Sequence, residues 1–348
     1  MKLRNYRTSI LLGLTFALMI SAFWFFPNLA FIIFLSLLLQ LLLLPLVNRL
    51  SQKLPRSVSA GLVLLLFVLL ALAILGIVSS SFIPTFKKFV QDIPELTRNI
   101  ENIEWLRDSE LLHTELDSVW GELMTSGVTA LKSSLSIVIS IFNKAIDIVI
   151  ILFVTFYLLM DGEKIKSYLA GLFPHKDYAR VLNLFDRILA ALRTYVCSQL
   201  VICFITATVV FLYFSLRGLP YASVFAVVSG ISEFVPVLGP TVASAFGTLL
   251  TATQSPIMAL QTLGFYLVLT QINHNFVYPT LIGKSLNLHP IAIILGIIFG
   301  GELLNAAGMF LAVPIIVVIK LVIEDIYRDR QQMLQNLEQS RWNHSHKA

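Results

Sequence analysis

Charged side chains are scarce in this chain. Asp, Glu, Lys and Arg make up 13% of its 348 residues, whereas hydrophobic residues make up 57% and the mean hydropathy is +0.83. Soluble domains usually contain about 25% charged residues. So few charges could not cover the surface of a globule of this length, which excludes an ordinary soluble enzyme, a disordered protein and a coiled coil. The composition predicts a multi-span membrane protein.

Motifs for covalent chemistry are also missing from the sequence. It contains no GxxxxGK[ST] phosphate loop, no HExxH zinc motif and no GxSxG nucleophile motif. Its two cysteines, Cys197 and Cys203, follow neither a CxxC nor a zinc-ligand spacing. We therefore expect neither an enzyme nor a protein with a metal or other cofactor.

What the chain does have is a series of long apolar runs. A span needs roughly 20 mostly apolar residues to cross about 30 Å of hydrocarbon. The runs predict an all-α fold, a polytopic membrane helix bundle of about eight spans, with broken or re-entrant helices in the C-terminal half. The predicted spans cover residues 8–26, 29–47, 57–82, 135–160, 195–216, 221–250, 256–277 and 289–322. The sequence leaves open whether 221–250 crosses the bilayer or turns back within it.

Changes in polarity predict six parts along the chain. Residues 84–135 carry nine carboxylates against five basic residues, with apolar residues at helical spacing, and predict a small acidic helical insertion outside the cytoplasm. Residues 161–193 contain an amphipathic stripe and predict cytoplasmic helices. The other parts are spans 1–3 (1–83), span 4 (136–160), a C-terminal transmembrane core with broken helices (194–325) and a polar cytoplasmic tail (326–348).

The basic residues predict the orientation. Seventeen of the 25 Lys and Arg residues fall in segments 1–7, 48–57, 161–193 and 320–348. Cytoplasmic loops collect Lys and Arg, so both termini are expected in the cytoplasm. Because the charge is spread in short clusters, the net charge of +5 does not indicate a nucleic-acid partner.

The first candidate site is a helix break at residues 231–240. Pro236, Gly239 and Pro240 interrupt the helix there, and Glu233 stands beside the break. Broken helices within a membrane commonly line a substrate or ion site. A carboxylate costs about 2.5–3.5 kcal/mol in the membrane even on the mildest scales, which makes Glu233 a functional candidate. The alternative is that this stretch lies at the interface, with Glu233 among headgroups.

A second candidate lies at residues 300–308. Gly300, Gly301 and Gly308 are small enough for close helix packing, and Glu302 and Asn305 add polar groups. Packing alone explains the glycines but not Glu302.

A third polar cluster follows the apolar run at 256–270. It consists of Gln271, Asn273, His274 and Asn275. Gln271, His274 and Asn275 share a helix face, because they follow i, i+3, i+4 spacing. The cluster predicts a hydrated pocket or a polar helix end at the interface.

Several short motifs resemble those of the autoinducer-2 exporter family of bacterial membrane proteins. Residues 193–199 are similar to the family's Tyr-x-x-Gly-Gln, with Ser198 in place of Gly, and residues 234–240 are similar to its Pro-x-x-Gly-Pro signature. Residues 279–284 resemble the family's Pro-x-x-x-Gly-Lys element, and residues 288–290 match its Leu-His-Pro element. The family's closing motif resembles Gly300-Gly301 followed by residues 308–314, which end in Pro314. The resemblance covers most of the chain and is most specific after residue 190.

This resemblance implies a helical, homo-oligomeric permease of the inner membrane. The family name refers to export of a small furanosyl signal molecule, and some relatives are linked instead to sodium(lithium)/proton exchange. Many relatives carry an acidic residue where this chain has Asn273, and a small Gly where it has Asn305. If relatives couple transport to a cation through an acidic residue at the position of Asn273, Glu233 would have to take that role in this chain.

Three functions follow from these observations. The leading one is a secondary permease that exports a small polar solute such as an autoinducer-2-like signal molecule, with Glu233 and Glu302 binding a proton or sodium. The polar cluster 271–275 would supply hydrogen bonds, and Gly300, Gly301, Gly308 and Pro314 would pack helices or form a hinge. The alternatives are a sodium(lithium)/proton antiporter and a non-transporting scaffold or sensor.

Overall fold

The computed structural model describes residues 7–101, 145–235, 238–252, 254–282 and 288–345. Helices account for most of these residues, and the described ranges contain no β-strand, which confirms the predicted all-α class. A 3-10 turn spans His175–Asp177, and a π-helical turn spans Asn273–Val277. The helices are α1 (Arg7–Phe25), α2 (Pro27–Leu50), α3 (Arg56–Glu101), α4 (Ala145–Gly171), α5 (Tyr178–Leu216), α6 (Ala222–Ser232), α7 (Leu238–Ala252), α8 (Pro256–Ile272), α9 (Tyr278–Ile282) and α10 (Pro290–Ser345).

Five helices in the described ranges are long and apolar enough to cross a membrane, namely α2, α3, α4, α5 and α10. In α3 the leucines at 65, 66, 69 and 70 are all more than half exposed. These leucines spread over about 140° of the helix circumference, and so broad an exposed apolar face is stable in hydrocarbon but not in water. The protein is therefore a polytopic membrane helix bundle, with shorter apolar helices beside the long ones.

Several boundaries predicted from polarity fall inside continuous helices. Helix α3 passes through the boundary at 83/84, α4 passes through 160/161, and α5 joins the predicted amphipathic segment to the predicted fifth span. Polarity changes where a helix leaves an apolar environment, but the backbone hydrogen bonds continue, so the helix does not end there. Residues 102–135 of the predicted acidic insertion lie outside the described residues.

The segment 221–250, which the sequence left open as a span or a re-entrant turn, is a helical hairpin. Phe225 in α6 and Phe246 in α7 have ring centroids 5.7 Å apart, although 21 positions in a straight helix would place them about 30 Å apart. At 1.5 Å per residue, α6 is about 17 Å long and α7 about 23 Å, each shorter than the roughly 30 Å hydrocarbon core. The chain therefore turns back between these helices.

A second hairpin lies within α10, where Leu304 and Asn305 have non-helical backbone angles. Gly300 and Gly308 face each other across the turn so closely that a Cβ on Gly300 would lie 2.4 Å from the Gly308 carbonyl oxygen. Further from the turn, Gly296 lies against Ile316, so the two arms are antiparallel. The predicted span 289–322 is thus corrected to a short arm of about 21 Å followed by a long helix.

The chain divides into two compact units that alternate in sequence. The first consists of Met1–Leu64, Ile150–Val196 and Lys284–Ala348, and the second of Leu65–Val149 and Cys197–Gly283. The α10 hairpin belongs to the first unit, and the hairpin of α6 and α7 belongs to the second.

An ion-pair cluster, here called the Arg180 clasp, connects three helices of the first unit. The Arg180 guanidinium at the start of α5 lies 2.7 Å from a carboxylate oxygen of Asp325 and 2.7 Å from one of Asp329, both in α10. From α1, the Ser9 hydroxyl donates to Asp329 at 2.8 Å, and the Thr8 hydroxyl donates to Asp177. The clasp fixes the N-terminal ends of α1 and α5 against α10.

Aromatic side chains form the core of the second unit. The Phe89 ring of α3 lies 5.0 Å from Tyr221, 6.4 Å from Phe225 and 5.7 Å from Phe246. Phe214 of α5 stacks on Phe225 at 4.7 Å. This packing holds the hairpin of α6 and α7 between α3 and α5.

Candidate functional site

Four buried polar side chains meet inside the second unit, and we name them the Glu233 cluster. Glu233 follows the last residue of α6, Gln199 and Thr206 project from α5, and Asn273 begins the π-helical turn. Each of the four is at most 4% exposed. In the sequence Pro236 follows three residues after Glu233, and a proline ring disfavours a helix through the preceding turn. The helix therefore ends where the carboxylate stands.

The hydrogen-bond donors of the cluster are directed at Glu233. The Thr206 hydroxyl donates to carboxylate atom Oε1 at 2.8 Å, and Asn273 Nδ2 lies 3.1 Å from the same oxygen and 3.0 Å from Thr206 Oγ1. Gln199 Nε2 donates to the main-chain oxygen of Glu233 at 2.8 Å. The Tyr278 side chain lies against the same carboxylate. These contacts hold the carboxyl group in one position.

Two acceptor oxygens of the cluster have no hydrogen-bond partner among the described residues. They are Gln199 Oε1 and Asn273 Oδ1, and both are buried. None of the ion pairs in the described ranges includes Glu233. The cluster thus combines one carboxylate with unpaired neutral oxygens, a surplus of acceptors that suits a proton, a cation or the hydroxyl groups of a solute.

The turn between α6 and α7 is closed by Gly239. A Cβ at this position would lie 1.7 Å from the Ser232 carbonyl oxygen, so only glycine fits. The close approach brings the start of α7 against the end of α6, next to Glu233. Pro240 lies in the first turn of α7, and Pro236 falls outside the described residues.

The structure separates the polar residues at 271–275, for which the sequence predicted a hydrated pocket or a polar helix end. Asn273 is buried beside Glu233, whereas Gln271, His274 and Asn275 are exposed. Asn275 Nδ2 donates to Gln271 Oε1 at 2.9 Å, and the His274 ring stacks on Tyr278 with centroids 5.4 Å apart. Because a π-helical turn is wider than an α-helical turn, the register changes at this point.

The second predicted carboxylate differs from the first in its surroundings. Glu302 and Asn305 are exposed near the turn of the α10 hairpin. Gly301 packs against the Met309 side chain, and Pro314 is buried further along α10. Helix packing accounts for the small residues here, and Glu302, unlike Glu233, is exposed.

Sequence reasoning did not single out Gln199, Thr206 or Tyr278 as site residues. A usable signal was present in α5, since Gln199, Cys203 and Thr206 follow i, i+4, i+7 spacing and share a helix face. In the structure Gln199 Nε2 lies 4.0 Å from Cys203 Sγ on that face. No comparable spacing of polar residues in the sequence pointed to Tyr278 as a site residue.

The chain is similar to known transport proteins over most of its length. A sequence profile described as AI-2E family transporter matches residues 14–328. YueF of Bacillus subtilis (strain 168), named as a transport protein, is 27% identical over 320 residues, which cover 87% of this chain and 86% of that protein. YrrI of the same organism is 25% identical over 90% of this chain and 91% of its own length.

A relative named as a permease matches a shorter part of the chain. PerM of Escherichia coli (strain K12) is 24% identical over 220 residues, which cover 63% of this chain and 62% of that protein. The profile match extends across the helix bundle and includes every residue of the Glu233 cluster. The chain belongs to the AI-2E family of membrane transporters.

Proposed function

We propose that this transporter is a secondary permease that exports a small polar solute, such as an autoinducer-2-like furanosyl signal molecule. The family assignment supports transport, and the family name supports the class of solute. The observation that carries the proposal is the buried Glu233 cluster beside the break between α6 and α7. Interrupted helices with polar side chains are the usual construction of transporter binding sites.

In the proposed mechanism, the hairpin of α6 and α7 exposes the Glu233 cluster alternately to the two sides of the membrane. The unpaired oxygens of Gln199 and Asn273 accept hydrogen bonds from solute hydroxyl groups or bind a coupling ion. A carboxylate at this position is costly, so its role in binding or coupling explains its presence. The hairpin turn can move as a unit because Gly239 packs directly on the end of α6.

The energy source and orientation complete the proposal. The sequence has no P-loop, so a proton or sodium gradient drives export. The protein is multi-pass in the bacterial inner membrane with both termini cytoplasmic, as the distribution of Lys and Arg favours. The family resemblance further favours a homo-oligomer.

Efflux from proteoliposomes tests the proposed function. The purified chain is reconstituted, the liposomes are loaded with labelled autoinducer-2, and release is followed with and without an imposed ion gradient. Liposomes without protein and liposomes loaded with ribose serve as controls. Release faster than in both controls supports export of this signal class, and release equal to that of empty liposomes contradicts it.

A further inference from the structure

A groove that the proposed transport mechanism does not use lies in the second unit, between the end of α5 and the start of α8. Its volume is about 460 Å³, within the roughly 300–1,000 Å³ of ordinary ligand pockets. Six residues line it, namely Leu216, Arg217, Ser255, Ile257, Met258 and Gln261. We propose that the groove binds the headgroup of an anionic phospholipid, with the phosphate held at Arg217.

The groove carries a positive charge that no described carboxylate neutralises. Arg217 directly follows the last residue of α5 and is exposed. None of the ion pairs in the described ranges includes it, and none of the six lining residues is Asp or Glu. A guanidinium group presents five N–H donors in one plane and pairs with phosphate oxygens through two of them at once. The groove therefore suits a phosphate group.

The start of α8 adds donors to the same groove. Its N-cap residue Ser255 accepts a hydrogen bond from the Ile257 N–H at 3.2 Å, and the hydroxyl hydrogen of Ser255 can still be donated. The helix dipole of α8 is positive at this end. Gln261, one turn after Ile257, is exposed and adds an amide that donates. Guanidinium, hydroxyl and amide donors thus line one groove from two helices.

The flanks of the groove are apolar and exposed. Leu216 is 83% exposed at the end of α5, and Ile257 and Leu260 in α8 are 68% and 71% exposed. Such side chains are stable against acyl chains but not against water. A free phosphate ion would use only the polar donors, whereas a phospholipid uses the donors and the apolar flanks together. The amphipathic lining therefore favours a lipid.

The lining also selects the charge of the headgroup. Arg217 stands where an apolar membrane helix ends, and long Arg side chains at such ends reach the headgroup region. A zwitterionic headgroup adds an ammonium group, for which the six lining residues offer no carboxylate. A headgroup with a single negative charge, as in phosphatidylglycerol, matches the single cation of the groove.

Lipid-dependent stabilisation tests the inference. The full chain is purified in a neutral detergent, and the midpoint of thermal unfolding (Tm) is measured in increasing dioleoyl phosphatidylglycerol or dioleoyl phosphatidylcholine. The two lipids share their acyl chains and differ in headgroup charge. A ligand that binds only the folded state raises Tm, so we expect a saturable rise with phosphatidylglycerol that phosphatidylcholine does not reproduce. Native mass spectrometry is expected to show one retained phosphatidylglycerol per chain.

Variants assign the lipid to the groove. Arg217→Gln is expected to weaken phosphatidylglycerol binding at least tenfold. Gln261→Glu places a negative charge in the groove and is expected to abolish the rise in Tm. Arg49→Gln is the matched control, since Arg49 is an exposed arginine in the last turn of another apolar helix, α2. All three positions are exposed, so the substitutions leave the buried core unchanged.

The inference is overturned if the two lipids raise Tm equally, or if Arg217→Gln binds phosphatidylglycerol as tightly as wild type. A third arm replaces lipid by sodium phosphate, with sodium chloride at the same ionic strength as its control. A rise in Tm as large as that with phosphatidylglycerol would identify a free anion as the occupant and contradict a lipid site. These outcomes are separable from the proposed function, because none of them measures transport.

Discussion

The carboxylate of Glu233 is kept in a buried position by specific hydrogen bonds. Its atom Oε1 receives bonds from Thr206 and Asn273, and hydrogen bonds to charged groups contribute about 1.5–3 kcal/mol. That gain is comparable to the roughly 2.5–3.5 kcal/mol that a carboxylate costs within a membrane on the mildest scales. Removing one donor should therefore alter the site without unfolding the bundle.

Thr206→Val removes a donor while keeping the shape of the side chain. Because the variant loses the bond to Oε1, we expect a fall of about tenfold in the rate of solute efflux, corresponding to about 1.4 kcal/mol. Thr208→Val is the matched control, since Thr208 is exposed on the same helix and bonds the Phe204 carbonyl of its own helix. Initial efflux rates from proteoliposomes measure both variants. Equal rates for the two would show that the Thr206 bond is unimportant for transport.

A second residue-scale feature is the backbone of Asn305 at the turn of the α10 hairpin. Its φ of 53° and ψ of −137° lie in a region that is essentially restricted to glycine. Asn305→Gly should relieve this strain and stabilise the protein by about 1 kcal/mol, seen as a higher Tm in detergent. Asn48→Gly, at an exposed position within α2, should instead lower Tm by a few tenths of a kcal/mol. A lower Tm for Asn305→Gly would contradict the strained turn.

The sequence identified part of the Glu233 cluster for a clear physical reason. A carboxylate such as Glu233 is conspicuous in an apolar run because its cost does not depend on the details of the fold. A threonine such as Thr206 is not conspicuous, since a hydroxyl in a helix can bond its own backbone, as Thr208 does. Glu302 resembles Glu233 in sequence, and only the tertiary structure shows that it is exposed.

At the scale of the elements, two hairpins replace two of the predicted spans. Hydropathy alone does not distinguish a hairpin at 221–250 from one long helix, because both arms are equally apolar. Proline and glycine gave the position of the first break, and the glycine-rich stretch 300–308 gave the position of the second. The direction of the chain after each break depends on close contacts, such as that of Gly239 with Ser232, which are invisible in the sequence.

Gly239→Ala tests the closed turn of the first hairpin. Because a Cβ would lie 1.7 Å from the Ser232 carbonyl oxygen, the turn must open, and we expect loss of efflux and a lower Tm. Gly264→Ala in α8 is the control, since its added methyl group would meet open space beyond its own helix among the described residues. Alanine is about 1 kcal/mol better than glycine inside a helix, so this control should keep its activity and its stability or gain stability. Full activity of Gly239→Ala would contradict the hairpin geometry.

At the scale of the whole molecule, the chain alternates between two compact units. Helices α3, α4 and α5 each contribute residues to both units. The first unit is fastened by the Arg180 clasp, and the second contains both the Glu233 cluster and an aromatic core. Loss of the clasp should therefore lower stability without altering the residues of the Glu233 cluster.

Arg180→Gln tests the clasp. The change leaves Asp325 and Asp329 without their cation, although their side chains are only 10% and 16% exposed, so we expect a loss of about 2 kcal/mol in stability. Lys164→Gln removes the exposed pair with Asp161 and should cost less than about 0.5 kcal/mol. Thermal unfolding in detergent compares the two. Equal Tm values would show that the clasp does not hold the first unit together.

The most direct test of the account is solute efflux by Glu233→Gln. The amide keeps the shape of the carboxyl group but cannot carry its charge, so we expect a folded protein in normal amounts with efflux reduced at least tenfold. Proteoliposomes with wild type, Glu233→Gln and the exposed-site variant Glu302→Gln give the comparison in one assay. Loss of efflux in Glu233→Gln alone is the predicted result. Full efflux by folded Glu233→Gln would remove the cluster from the transport pathway.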